Sequence, residues 1–322
     1  MGESMSEDFQ AHLLRAQLPP FGTEPCDAAQ VLAYRAFYGL QFARAVRSCI
    51  GRLPAAGYEL VAQAWWPEQP RASLVLLHGY YDHVGLYRHL IDWALEQGFV
   101  VLAVDLPGHG LSSGAVASIN DFAEYQEVLC RLLDAAQVLR LPQPWHLCGQ
   151  STGGAILIDY LLLGAPSAQL GRAILLAPLV RPRAWWRSRL SYHLVRHFVS
   201  SIPRHFYANS SDAGFIDFVQ RRDPLQARTL PVAWVGALER WTPRIEAAPA
   251  TGLCPLVVQG DHDLTVDWRH NLEVLEAKFR QPSLYLLEGG RHHLANEAPA
   301  LRKGYLDYLA RHLAPEVPKP TG

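Results

Sequence analysis

The sequence predicts an α/β protein built on a mostly parallel central sheet, with helices on both faces and one inserted helical cap. Three observations predict it. Short, near-continuous apolar runs alternate with longer amphipathic stretches along most of the 322 residues. Runs of that kind mark strands buried on both faces, and the helices between them supply the crossovers that parallel pairing needs. Most of the runs end at Gly, Asp or Pro, where a strand gives way to a loop. The rhythm also breaks once, over residues 181–250, where no run fits the series.

Taken in order, residues 27–49 (DAAQVLAYRAFYGLQFARAVRSC) carry apolar positions at helical spacing. That spacing predicts a helix within an N-terminal helical extension spanning 1–56. Strands are expected at 58–66, 73–79, 99–108, 144–151, 172–180, 254–261 and 283–290. Helices are expected at 84–97, 118–139, 152–164, 267–279 and 296–312. These elements make a core of 57–180 and 251–312. The 181–250 insertion carries ten large aromatics and reads as a mostly helical cap, and LAPEVPKPTG (313–322) reads as a flexible tail.

Composition narrows the function classes. Apolar residues are 49%, charged residues 18% and the net charge is −1, which fits a globular protein and gives no footprint for nucleic acid. The five cysteines form no C-x-x-C pair, as expected of free thiols in a reducing compartment. MGESMSEDFQ lacks a basic-then-apolar leader, and no apolar run reaches the roughly 18 residues that span a bilayer, so the expected location is cytoplasmic. Gly2 with Ser6 fits a short, common myristoylation pattern. Fourteen histidines show no metal-ligand spacing, and HGYYDH lacks the glycines of a dinucleotide loop. No metal and no cofactor is expected.

The chemistry gathers around HLCGQSTGGA (146–155). G-x-S-x-G is weak alone, but a strained strand-to-helix turn needs a strand before the serine, a helix after it and small residues flanking it. PWHLC, GGAILIDYLLL and Gly149, Gly153 and Gly154 supply all three. An acid should follow a later strand, and CPLVVQGDHD offers Asp261 and Asp263, with Asp267 beyond. A histidine should follow the last strand, and SLYLLEGG leads into Arg291-His292-His293. The order Ser, Asp, His makes Ser151 a candidate nucleophile. Its oxyanion would be met by the backbone N–H of Thr152, at a helix N-terminus.

LVLLHGYYDHVGLY (74–87), VLAVDLPGHGLSSG (101–114), GQSTGG (149–154), LVVQGDHDLTVD (256–267) and LLEGGRHHLANE (286–297) together resemble the α/β-hydrolase superfamily. The resemblance is to its branch of monoacylglycerol lipases, lysophospholipases and S33-type serine aminopeptidases, over roughly 57–312 apart from the cap. It implies the α/β-hydrolase fold, Ser151 as nucleophile, Asp263 as acid and His292 as base, with Asp261 and His293 as the rival acid and base. It also implies the Tyr80 N–H as second oxyanion donor and a monoacylglycerol or lysophospholipid-like ester as substrate. Small esters, thioesters and peptides remain alternative acyl donors on the same triad. A non-catalytic binding protein of the same fold is the rival of another class.

Tyr81, Trp186 and Trp234 are the candidate substrate-binding residues. Asp82 and His83 are weighed as contacts, and His78 and His109 as loop braces. Arg291 reads as an ion-pair partner. In the cap, 181–205 has six arginines and no acid. Trp186, Leu190, Leu194 and Phe198 recur at i+4, so this face either packs on the core or makes a peripheral membrane contact.

Overall fold

A computed structural model describes residues 9–23 and 27–314. Gly2, Ser6 and most of the expected tail lie outside the described residues. The strands are β1 (Ala45–Ala55), β2 (Tyr58–Pro67), β3 (Ala72–Leu77), β4 (Phe99–Val104), β5 (Trp145–Gln150), β6 (Leu170–Leu176), β7 (Ser201–Pro203), β8 (Thr229–Pro231), β9 (Leu256–Gly260) and β10 (Ser283–Leu287). The helices are α1 (Ala11–Gln17), α2 (Ala29–Tyr38), α3 (Arg88–Glu96), α4 (Phe122–Val138), α5 (Thr152–Leu163), α6 (Trp185–Val195), α7 (Ala213–Asp217), α8 (Val232–Ala247), α9 (Trp268–Lys278) and α10 (Pro299–Leu313).

Eight strands form one sheet in the order β1-β2-β4-β3-β5-β6-β9-β10, and β7 pairs with β8 separately. The β1–β2 and β2–β4 pairs are antiparallel and the rest of the large sheet is parallel. Burial on both faces explains the unbroken apolar runs. Along β4, Val100, Leu102 and Val104 face one core and Phe99, Val101 and Ala103 the other. The first core is closed by α4, α5, α8 and α9, and the second by α1, α2, α3 and α10.

The N-terminal expectation needs correction. The helix expected over 27–49 stops at Tyr38, because Gly39 takes the left-handed conformation (φ 67°, ψ 38°) and its N–H closes on Ala36 and Arg35. That is a glycine C-cap, which ends a helix without the steric cost a side chain would incur there. Residues 45–55 are then a strand, so the extension 1–56 is not purely helical and the sheet begins before residue 57. Ala56 and Gly57 both have positive φ (51° and 77°), the two-residue hairpin that matches strand twist. Residues 19–21 run along the outer rim of β1. The Phe21 N–H donates to the Arg52 carbonyl and the Arg52 N–H to the Pro19 carbonyl, each at 2.8 Å. Gly51 is required there, since a Cβ would stand 2.7 Å from Phe21 Cα.

Segment 181–250 holds α6, α7, a π-helical turn at Phe218–Arg222, α8 and the β7–β8 pair. Its helices divide in role. In α8, Trp234, Ala237, Leu238, Trp241 and Ile245 are buried in the first core. Trp241 Nε1 donates to Asp159 Oδ2 at 3.0 Å, and its ring stacks on Phe122 at 4.6 Å. In α6 no residue is buried.

A buried cluster ties this segment to the rest. Asp223 Oδ2 lies 2.9 Å from His83 Nε2, and the Tyr38 hydroxyl donates to Asp223 Oδ1 at 2.6 Å. Gln226 Nε2 also donates to Oδ2. Burial would raise the Asp223 pKa, but the His83 charge and these bonds hold it down at about 2. Burial would lower His83, and Asp223 raises it instead. Asp223 thus stabilises above its unfolded value of 3.8, a contribution lost as pH falls through about 2. His83 contributes below 6.5, lost as pH rises through its raised folded value. Replacing Asp223 with Ala strands a buried imidazolium, and thermal unfolding at pH 6 should register a loss of about 3–5 kcal/mol.

Candidate active site

The site lies beyond the carboxyl ends of β3, β5, β9 and β10, where ligands gather in parallel sheets. Ser151 sits between β5 and α5 with φ 52° and ψ −108°, a strained conformation for a residue with a side chain. The flanking glycines make that turn sterically feasible. A Cβ on Gly149 would lie 2.3 Å from the Gly153 carbonyl carbon, and one on Gly153 would lie 2.3 Å from the Leu77 carbonyl oxygen. Strand, turn and helix can meet only where those side chains are absent.

His292 bridges the other two residues. Its Nε2 is 2.9 Å from Ser151 Oγ and its Nδ1 is 2.7 Å from Asp263 Oδ2. All three are buried. Asp263 Oδ1 accepts the Thr265 and Val266 N–H groups at 2.8 and 3.1 Å, and Gln259 Nε2 donates to Oδ2 at 3.1 Å. Burial would raise the Asp263 pKa; His292 and these donors bring it below its usual range. Burial would lower His292, and Asp263 turns the net direction upward. A serine hydroxyl on a carboxylate-held imidazole can pass its proton to the ring as the oxygen attacks a carbonyl.

The rivals have other surroundings. Asp261 Oδ1 accepts the Gly289 N–H at 2.8 Å, and Asp267 is exposed at the start of α9. His293 Nε2 faces Asp82 Oδ2 at 3.1 Å, within ion-pair range but out of line for a hydrogen bond. Its ring rests on Phe215.

Thr152 opens α5, where the first amides of a helix lack an internal acceptor and concentrate positive potential. The Gly79 N–H is already given to the Tyr87 hydroxyl at 2.9 Å, and Tyr87 donates to Asp82 Oδ2 at 2.8 Å. Tyr80 follows, its ring stacked on Trp234 at 3.8 Å and its hydroxyl donating to the Ala117 carbonyl.

Ser151, Thr152, Tyr80 and His292 border a pocket of about 290 Å³, together with Tyr81, Asp82, Arg204 and Trp234. Trp186 does not belong to it. That side chain is 65% exposed on α6 with Arg187 over its ring, because the buried face of the insertion is supplied by α8. His83 is buried with Asp223, away from the lining. Arg291 makes no ion pair among the described residues; its Nη1 donates to the Ala208 and Ser210 carbonyls. His78 braces loops, accepting the Leu106 N–H at Nε2 while Nδ1 meets the Gly79 carbonyl. Burial pushes its pKa down to about 3.

Sequence reasoning missed two supports. Gln150 Nε2 donates to the His292 carbonyl at 2.8 Å, and Gln259 steadies Asp263. The available signal was a glutamine at or near the end of each strand, Gln150 in β5 and Gln259 in β9.

The sheet order, its antiparallel second strand and the strained turn between β5 and α5 define an α/β-hydrolase. The profile described as serine aminopeptidase, S33, matches residues 68–299, and the chain belongs to that family. Human monoglyceride lipase is 28% identical over 255 residues, which are 76% of this chain and 83% of that protein. A monoacylglycerol lipase of Mycolicibacterium smegmatis is 34% identical over 105 residues, 32% of this chain. That alignment covers 38% of the mycobacterial protein, and the one with Bacillus subtilis phospholipase YtpA covers 37% of its relative. A soluble variant of Saccharomyces cerevisiae monoglyceride lipase, solved with a substrate analogue, superposes with a TM-score of 0.72 at 16% identity. It covers 84% of this chain and 96% of its own. The family is one of hydrolases. Gly153→Ala should displace the turn against Leu77 and cut kcat/KM on a p-nitrophenyl ester about 100-fold, with circular dichroism checking that the fold persists.

Proposed function

We propose that the enzyme cleaves carboxylic esters of medium or long acyl chains, of the monoacylglycerol or lysophospholipid kind, through an acyl-enzyme on Ser151. The observation that carries this is His292, within hydrogen-bond reach of both Ser151 Oγ and Asp263 Oδ2 at the edge of one pocket. His292 takes the serine proton and returns it to the leaving alcohol, while Asp263 fixes the Nδ1–H tautomer. The N–H groups of Thr152 and Tyr80 receive the oxyanion, each such donor contributing about 3 kcal/mol. Leu179, Leu230, Trp234 and Val266 give the pocket apolar lining for a chain. The relatives' lipase names support the lipid reading, and the unpaired cysteines among the described residues support a reducing, cytoplasmic setting.

Initial rates on p-nitrophenyl esters from two to sixteen carbons test this, with Ser151→Ala as blank. The rate should peak at eight carbons or longer and vanish in the variant; a peak at two to four carbons would reassign the enzyme to small esters. Asp263→Asn should lower kcat about 10⁴-fold. Only neutral His292 can accept the proton, and its pKa is raised. The acid limb of kcat/KM should therefore lie above 6.5.

The peripheral membrane contact rests on α6 and the residues after it. Trp186, Leu190, Leu194 and Phe198 are 65%, 55%, 65% and 85% exposed, amid arginines. An apolar face rimmed by cations suits an interface. No helix among the described residues is long and apolar enough to cross a membrane. Co-sedimentation with vesicles containing phosphatidylglycerol should fall at least threefold in Leu190→Glu/Leu194→Glu; equal sedimentation would remove the membrane role.

A further inference from the structure

One cation in the catalytic pocket, Arg204, makes no ion pair among the described residues, although the Asp82 carboxylate lines the same pocket and attracts it. Arg204 leaves β7 and lies over the Tyr81 ring at 3.9 Å and the Phe206 ring at 4.2 Å. Its Nη1 donates to Gln226 Oε1 at 2.7 Å and to the Ala227 carbonyl at 3.1 Å. A guanidinium carries five N–H donors, and no described residue accepts from its Nε or Nη2. Elsewhere in the segment Arg181 pairs with Glu246, Arg189 with Glu239, and Arg221 and Arg222 share Asp217. Arg228, over the same Phe206 ring at 5.1 Å, donates to the Gln220 carbonyl and, like Arg204, makes no ion pair among the described residues. No described ion pair reaches Arg204. The acid sharing the pocket, Asp82, is already bonded by Tyr87 and faced by His293.

The guanidinium is also held in place. Two acceptors fix one end and two aromatic rings flank it, while the backbone N–H of Arg204 donates to the Arg228 carbonyl. Tyr81, on which it stacks, directly follows the oxyanion donor Tyr80 and has a positive φ of 69°. A fixed planar cation with spare donors is suited to phosphate and carboxylate, which it meets with paired N–H bonds.

We infer that Arg204 is a specificity-determining residue that selects esters bearing an anionic group, a phosphate or a carboxylate, over neutral esters of equal chain length. This rests on the ester-hydrolase reading of the same pocket. Among glycerol esters, it places lysophosphatidate-like substrates ahead of neutral monoacylglycerols.

Two substrate pairs test it with the full chain. The first is 1-lauroylglycerol 3-phosphate against 1-lauroylglycerol, which differ only by a phosphate on the alcohol side. The second is the p-nitrophenyl monoester of a dicarboxylic acid against that of the matching monocarboxylic acid, which places the charge on the acyl side. In at least one pair, wild-type kcat/KM should favour the anion tenfold or more. Arg204→Gln should cut that ratio tenfold or more, and Arg204→Lys should keep part of it. A fraction of misfolded variant lowers both members of a pair alike and leaves the ratio intact.

The wild type alone supplies a second measurement. The preference should shrink between 0.05 and 0.5 M NaCl, because screening weakens the attraction. A wild-type ratio near one in both pairs overturns the inference, as does a ratio that Arg204→Gln leaves unchanged. In either case Ser151-dependent turnover of the neutral esters would leave the hydrolase reading standing. Loss of Ser151-dependent turnover on all four esters overturns both.

Discussion

Gly149 and Gly153 let β5 and α5 approach to a distance that no side chain could survive, and the geometry of the site follows from that approach. The turn between them carries Ser151 at positive φ, so its hydroxyl stands clear of the sheet instead of folding back on it. The same contact sets the first amides of α5 beside the serine, where the helix supplies positive potential. Leu77 closes the arrangement from β3, and β3 leads directly into the loop that bears Tyr80. One close contact therefore fixes the serine and both proposed oxyanion donors relative to each other. Backbone strain of this kind costs about 1–3 kcal/mol. It persists because the surrounding strands of β3, β5 and β6 are buried and leave the turn nowhere to relax.

The histidine and carboxylate ride on the loops after β10 and β9. Gly260, at the end of β9, admits the histidine loop just as closely, since a Cβ there would stand 2.3 Å from the Gly290 carbonyl oxygen. Hydrogen bonds complete the positioning: Gln150 on the His292 carbonyl, and Gln259, Thr265 and Val266 on Asp263. The result is an acid held ionised and a ring whose proton affinity is raised. A base of that kind is tuned by its partner against the opposing pull of burial.

Much of this was legible in the sequence. The apolar runs from residue 58 onward became strands, because strands buried on both faces must be apolar throughout. The order of Ser151, Asp263 and His292 could be read because each follows a strand that the pattern identifies. What could not be read falls into two kinds. The helix over 27–49 was drawn too long, since helical spacing does not reveal that Gly39 takes the left-handed conformation, and the strand that follows it was lost. Trp186 was drawn into the pocket because an amphipathic pattern says that a helix has an apolar face and not what covers it. In the folded chain α8 occupies the buried position, and α6 is left outside. The pairing of Tyr38, His83 and Asp223 was equally invisible, for it joins residues up to 185 positions apart.

The strap formed by residues 19–21 also bears on how molecules of this enzyme meet one another. A sheet of this width has two outer rims, each a row of unused amides and carbonyls able to recruit a strand from another chain. At β1, the longest strand, the strap occupies part of that row and Gly51 admits it closely. The opposite rim belongs to β10, five residues long and with Leu284 and Leu286 partly exposed. The strap, which touches none of the reacting groups among the described residues, thus acts as a guard against strand addition. It leaves the short β10 edge as the side on which self-association by sheet extension would have to begin.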